Sequence, residues 1–267
     1  MSRIIPGESN RETMKQLLIY DRPVVLNRAR HRDLRIAATE GDFHFAAGLN
    51  SLPLAACEFA RAACDHPILF AGSEPANVVP AALLGLRAGE NLAVDSNGRW
   101  LQDSYIPAFL RRYPFVLAEK PSEGDGEGED FHVCLDEAFP GLGDASGEPL
   151  FDESGANTPL LDAAMRFLQE YQAHLKRTRE LTARLAELDL LVPKVVQVQP
   201  ATGAGFNLDG LFVVDEPRLH ALKGRVLQDL LRSGDLGWIH VHLMSLVNVE
   251  RLCRRLDARM GEQPPAH

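Results

Sequence analysis

The chain is short of the long apolar runs that would carry it across a membrane. A spanning helix needs about 20 consecutive apolar residues. The best stretch here, Val78 to Leu86, is far shorter and ends at Arg87. The first residues, MSRIIPGESNRETMKQ, also lack the continuous apolar core of a secretion signal, so a cytoplasmic location is expected. Cysteine is scarce as well. Cys57, Cys64, Cys134 and Cys253 lie far apart, form no C-x-x-C and have apolar neighbours. That pattern predicts buried, reduced thiols and argues against a zinc site built on them. Positive charge is in the minority: 28 Lys and Arg face 37 Asp and Glu, giving a net charge of −9 and a pI near 5.5. A general nucleic-acid binder would carry a basic face. One local basic pocket remains compatible with this balance.

The usual catalytic signatures are missing too. There is no G-x-S-x-G, no G-x-x-x-x-G-K-[ST] and no G-x-G-x-x-G. The glycines of GLRAGEN have no following helix to carry a phosphate. Paired carboxylates occur at Asp136-Glu137, Asp152-Glu153 and Asp215-Glu216, and capping or turn chemistry accounts for at least two of these pairs. The residues therefore name no reaction, and no cofactor or metal is expected.

What is present divides into two textures. Residues 20–140 read as short extended segments, among them PVVLN and HPILF. AALLGLRAGENLAVDSNGRW has the pattern of a hairpin about Arg87–Asn91, with a second reversal at Asn97-Gly98. A short helix is expected from Ala55 to Cys64. The run KPSEGDGEGED, residues 120–130, is dense in carboxylates and glycine and reads as a solvated loop. From Thr158 the spacing becomes helical. Thr158-Pro159 starts a helix by hydroxyl cap and first-turn proline. Leu161, Ala164, Leu168, Tyr171, Leu175, Leu181, Leu185 and Leu188 then recur at steps of three and four, predicting one long helix or two bent near Thr178. KVVQVQ is a strand, FNLDGLFVVDE a strand pair or one bulged strand. Asp215 and Pro217 open a helix with Leu219, Leu222, Val226, Leu227, Leu230 and Leu231 inward, stopped at Ser233-Gly234.

Three stretches carry chemistry worth weighing. In IHVHLMSL, the pair His240 and His242 would share one face of a strand and could take a metal. The steps Leu236, Ile239, Leu243, Leu246, Val249, Cys253 and Leu256 instead predict a helix from about Asp235. On a helix the two histidines point roughly 200° apart. His242 then lies on the apolar face with Ser245 one turn on, either as a buried neutral imidazole or as a pocket residue. In HVCLDE, His132 and Asp136 share a strand face but stand about 13 Å apart, too far to chelate one iron. NGRWLQDSYIPAFLRRYPFVL is the richest segment, with one of two tryptophans and two of four tyrosines. Pro107 and Pro114 confine any helix there to about one turn. Adjacent Arg111 and Arg112 cannot both face a core, so one guanidinium reaches solvent, a carboxylate or a ligand. Guanidinium forks suit carboxylate and phosphate, and Trp100, Tyr105 and Tyr113 could frame such a pocket.

Several of these segments together resemble the SapC family of bacterial proteins. They are PVVLNRARHRDLRI, SLPLAACEFARAACDHPILF, LLGLRAGENLAVDSNGRWLQDSYIPAFLRRYPFVL, GEPLFDESGANTPLL, FNLDGLFVVDEPRLHAL and SGDLGWIHVHLMSLVNVERL. Members often carry tyrosine where His66 stands, which makes His66 a poor candidate for a shared catalytic role. The family's label of peptide transport implies a link to peptides, although a permease conflicts with the absence of a spanning segment. The resemblance also implies a setting beside flavin-dependent tryptophan halogenases, JmjC/cupin-like oxygenases and TonB-dependent receptors.

Together these readings predict an α+β protein, with an antiparallel β-rich N-terminal part packed with a long helix and two C-terminal helices. The expected layout is a tail over 1–19, one domain over 20–260 (β-rich to 140, helical and mixed over 157–259) and a tail over 261–267. The expected role is a non-catalytic binding or accessory protein for a peptide, aromatic metabolite or partner enzyme. Its ligand-binding candidates are Trp100, Tyr105, Arg111, Arg112, Tyr113, His242 and Ser245. The resemblance implies, as the enzyme served, a flavin-dependent halogenase or JmjC/cupin-like oxygenase. The alternative is an iron/2-oxoglutarate oxygenase-like enzyme acting on a peptide or aromatic compound.

Overall fold

A computed structural model describes residues 19–37, 41–119, 131–143, 145–201 and 203–262. The acidic run 120–130 and most of both expected tails lie outside the described residues. The strands are β1 (Pro23–Val25), β2 (Arg35–Ile36), β3 (Ser51–Pro53), β4 (Ile68–Ala71), β5 (Val79–Leu83), β6 (Phe115–Glu119), β7 (Phe131–Asp136), β8 (Glu148–Pro149), β9 (Leu191–Val198) and β10 (Phe206–Val214). The α-helices are α1 (Phe59–Ala62), α2 (Ala108–Arg111), α3 (Pro159–Glu187), α4 (Glu216–Ala221), α5 (Arg225–Ser233), α6 (Asp235–Ser245) and α7 (Asn248–Glu262). All sheet pairings are antiparallel, so the fold is α+β. Among the described residues no helix is long and apolar enough to cross a membrane.

The chain forms two compact units, each assembled from separated stretches: Met1–Glu40 with Arg112–Glu170, and Gly41–Arg111 with Tyr171–His267. In the first, β7 lies between β1 and β6, and β2 pairs with β8. Its core gathers Phe115, Leu135, Leu150, Phe151, Leu161 and Leu168. Here Asp136 is wholly buried and acts as a hub. Its carboxylate accepts from the backbone N–H groups of Asp21, Arg22 and Ala138 at 3.0, 2.8 and 3.0 Å. A buried carboxylate is tolerated only when so many donors replace its water.

In the second unit the strand order is β3-β5-β4-β10-β9. Leu69, Leu83, Val196, Val198 and Val213 from this sheet pack with Leu252 and Leu256 of α7. Both neighbours of β5 are other strands, so the stretch after it does not return as the expected hairpin. Leu92–Val94 instead joins the fold through single bonds such as Leu92 N–H to the Leu84 carbonyl, 2.7 Å. The reversal at Asn97-Gly98 is present, with Gly98 at φ +75° and Val94 bridging Trp100. KVVQVQ is the sheet's edge strand β9, paired with β10. β10 is one strand with a bulge between Leu208 and Leu211, where Gly210 takes φ +73°.

α3 is continuous through Thr178. The two C-terminal helical stretches are each interrupted once. Gly224, at φ +63°, separates α4 from α5, and Leu246-Val247 separates α6 from α7. The first break rotates the expected apolar face: Leu219 and Leu230 are buried, whereas Leu227 and Leu231 are exposed. Cys57 and Cys64 are exposed as well, correcting the expectation of buried thiols, while Cys134 is buried. Cys57 and Cys64 lie seven residues apart, one on either side of α1.

Candidate functional site

The expected ligand-binding residues occupy four separate environments. Arg112 and Tyr113 belong to the first unit, and Trp100, Tyr105, Arg111, His242 and Ser245 to the second. Arg112 is 5 % exposed, with its guanidinium 5.6 Å from the Tyr20 ring centre. Tyr113 donates to Asp136 Oδ2 at 3.3 Å and stands edge-on to Tyr20 and Phe139. Burial and the Asp136 carboxylate both push the Tyr113 phenol well above its ordinary range. These two side chains serve the first unit's interior.

His242 and Ser245 fasten α6 to the sheet. The register of β4 and β10 pairs Phe212 with Phe70 and Leu211 with Ala71, and its continuation sets Val214 opposite Ile68. The imidazole occupies that rung. The Val214 N–H donates to Nε2 at 3.1 Å, and Nδ1–H donates to the Ile68 carbonyl at 2.9 Å. One turn later Ser245 Oγ accepts from the Ile68 N–H at 2.9 Å and donates to the His242 carbonyl. Both residues are fully buried. These partners fix a neutral tautomer, and burial lowers the His242 pKa to about 4. His240, two positions away, is exposed, as helical spacing requires.

Tyr105 and Arg111 share a cleft of about 440 Å³ in the second unit. Its lining also includes Arg61, Cys64, Asp65, Asp103 and Ser104. Arg111 ends the single turn α2. Its Nε donates to the Ile106 carbonyl at 3.1 Å and its Nη2 to the Tyr105 hydroxyl at 3.1 Å, with the guanidinium 5.7 Å from the Tyr105 ring centre. The Tyr105 hydroxyl in turn donates to Glu58 Oε1 at 2.8 Å. Glu58, 5 % exposed, also accepts from the Ala108 and Ala55 N–H groups at 2.7 and 2.9 Å. A buried, backbone-anchored carboxylate therefore holds a phenol, which holds a surface guanidinium. Burial and the Glu58 charge raise the Tyr105 pKa to about 12, so the phenol keeps its proton.

Asp65 Oδ2 accepts the Tyr105 N–H at 2.8 Å, which ties the end of α1 to this wall. Asp103, at φ +57°, turns the chain there. Sequence reasoning missed Glu58, Arg61, Asp65 and Asp103. The i, i+4 spacing of Arg61, on the expected short helix, and Asp65, just past its end, was the available signal.

Trp100 lies deeper. Its ring centre is 5.5 Å from Phe43 and 6.0 Å from His66. His66 Nε2 donates to the Tyr105 carbonyl at 2.9 Å, so in the neutral ring Nδ1 keeps a lone pair. His66 Nδ1 and Trp100 Nε1 are buried and have no hydrogen-bond partner among the described residues.

The sequence profile described as SapC matches residues 26–252, which is most of the 267-residue chain. The chain belongs to the SapC family. No curated protein and no solved structure matches this SapC member. Membership covers both units and the cleft without naming a ligand. Among the described residues no three His, Cys, Asp or Glu side chains are grouped to hold a metal ion.

Proposed function

We propose that this SapC protein is a non-catalytic binding protein whose cleft takes the carboxylate of a peptide or of an aromatic acid. The observation that carries the reading is the placement of the Arg111 guanidinium, braced by Tyr105 and Ile106, in a cleft it shares with Arg61. A braced guanidinium loses little further rotamer freedom on binding and offers a planar fork to a carboxylate. The Tyr105 ring supplies apolar surface beside it. The enzyme served, a flavin-dependent halogenase or a JmjC/cupin-like oxygenase, is proposed from the family resemblance alone. The oxygenase alternative draws no support from HVCLDE, because Asp136 is occupied by backbone donors inside the first unit.

Cys64 lines the same cleft and gives a direct readout. In a Cys57→Ser, Cys253→Ser protein, iodoacetamide labelling of Cys64 is followed by mass spectrometry. Short peptides with an aromatic last residue are added as free acids or as amides. The acid should slow labelling several-fold, the amide should not, and Arg111→Gln should abolish the protection. Equal rates with acid and amide, or undiminished protection in Arg111→Gln, reject the reading.

A further inference from the structure

Trp100 and His66, whose rings are in contact, carry a buried donor and a buried acceptor that have no hydrogen-bond partner among the described residues. Trp100 Nε1–H can only donate. His66 Nδ1 can only accept, because Nε2 spends its proton on the Tyr105 carbonyl. Both atoms are shielded from solvent, and the rings are near-perpendicular with centres 6.0 Å apart. Leaving either atom unsatisfied carries its full desolvation penalty, and folded proteins remove such costs with buried water that makes two to four hydrogen bonds.

We propose that His66 and Trp100 hold one buried water molecule, which accepts from the Trp100 indole N–H and donates to His66 Nδ1. The site takes water because a single small molecule must present both an acceptor and a donor between two rings. Burial also holds the His66 pKa below its ordinary value, which keeps Nδ1 an acceptor. The water's role is positional. It fixes the His66 ring, and His66 fixes the carbonyl of Tyr105, a residue of the cleft lining. This inference needs no ligand in the cleft and stands independently of the proposed function.

Nuclear magnetic resonance of the full chain tests it. The chain has two tryptophans, so Trp238→Phe assigns the Trp100 indole proton. Rotating-frame measurement separates bound water from proton exchange. The expected result is a dipolar cross-peak between that proton and a long-lived water, with the His66 Nδ1 resonance displaced as a hydrogen-bond acceptor. Trp100→Phe should return the Nδ1 resonance toward that of an unbonded acceptor. An indole proton in the folded wild type with no such cross-peak overturns the proposal. So does a crystal structure in which the indole N–H reaches His66 or another protein group directly.

Discussion

His242 is the residue whose chemistry is most constrained. It enters the sheet as a neutral ring standing in for a backbone rung, and protonation would destroy the acceptor that the Val214 N–H uses. Its folded pKa, about 4, lies below the unfolded value of 6.5. The unfolded chain therefore takes up the proton first as pH falls. The associated stability is complete above pH 6.5 and is lost on acidification toward pH 4, by about 3 kcal/mol. Urea unfolding measured across that range should show the decline, and His242→Leu should flatten it while lowering stability at neutral pH. Glu58 poses a different residue-scale problem, as a buried carboxylate kept soluble in the protein by three donors. Tyr105→Phe removes one of these and one Arg111 contact. We expect a loss of about 1 kcal/mol in thermal or urea unfolding, together with weaker protection of Cys64 by the free-acid peptide.

At the scale of elements, α3 shows how a polar residue is used inside a helix. Thr178 donates to the His174 carbonyl at 2.6 Å, and its Oγ1 accepts the buried Ala56 N–H at 2.8 Å. The chain thus anchors the start of the 56–58 turn to the helix, and no bend is needed there. Thr178→Val keeps the shape and strands that N–H. The expected cost is about 1–3 kcal/mol, read as a lower urea midpoint with unchanged helical circular dichroism. The C-terminal helices break for a similar local reason. The backbone turns extended at Leu222, which ends α4; Gly224, at positive φ, precedes the restart at Arg225, which leaves Leu227 and Leu231 outside.

At the scale of the whole molecule, each unit closes only when distant stretches of chain meet. β7 obtains one neighbour from residues 23–25 and the other from residues 115–119, while β4 and β10 are separated by more than a hundred residues. A fragment spanning 112–170 lacks β1 and β2, so β7 and β8 each lose a partner. We expect that fragment to show no dispersed amide spectrum and to be cut rapidly by protease under conditions in which the full chain resists. A dispersed, protected fragment would mean that Phe115, Leu135, Leu150 and Leu161 form a core without the N-terminal strands.

The local code was sufficient for much of this. Thr158-Pro159 determined the start of α3, while the leucine spacing after it fitted one long helix or two bent near Thr178, and the structure decided for one. The three- and four-residue steps around His242 determined a helix there. FNLDGLFVVDE fitted a strand pair or one bulged strand, and the structure decided for the bulge, with Gly210 at positive φ. Family membership also followed from the segments in order. Tertiary structure alone decided which side chains met. Arg111 and Arg112 are neighbours in sequence, yet the boundary between units falls between them, and their partners, Tyr105 and Tyr20, are remote from one another in the chain. Arg61 and Asp65 joined Tyr105 at a cleft, and buried Glu58 took its hydroxyl, for the same reason. Hydrogen bonds to distant backbone and burial against distant strands have no spacing rule within a sequence, so contact between far segments determines the site.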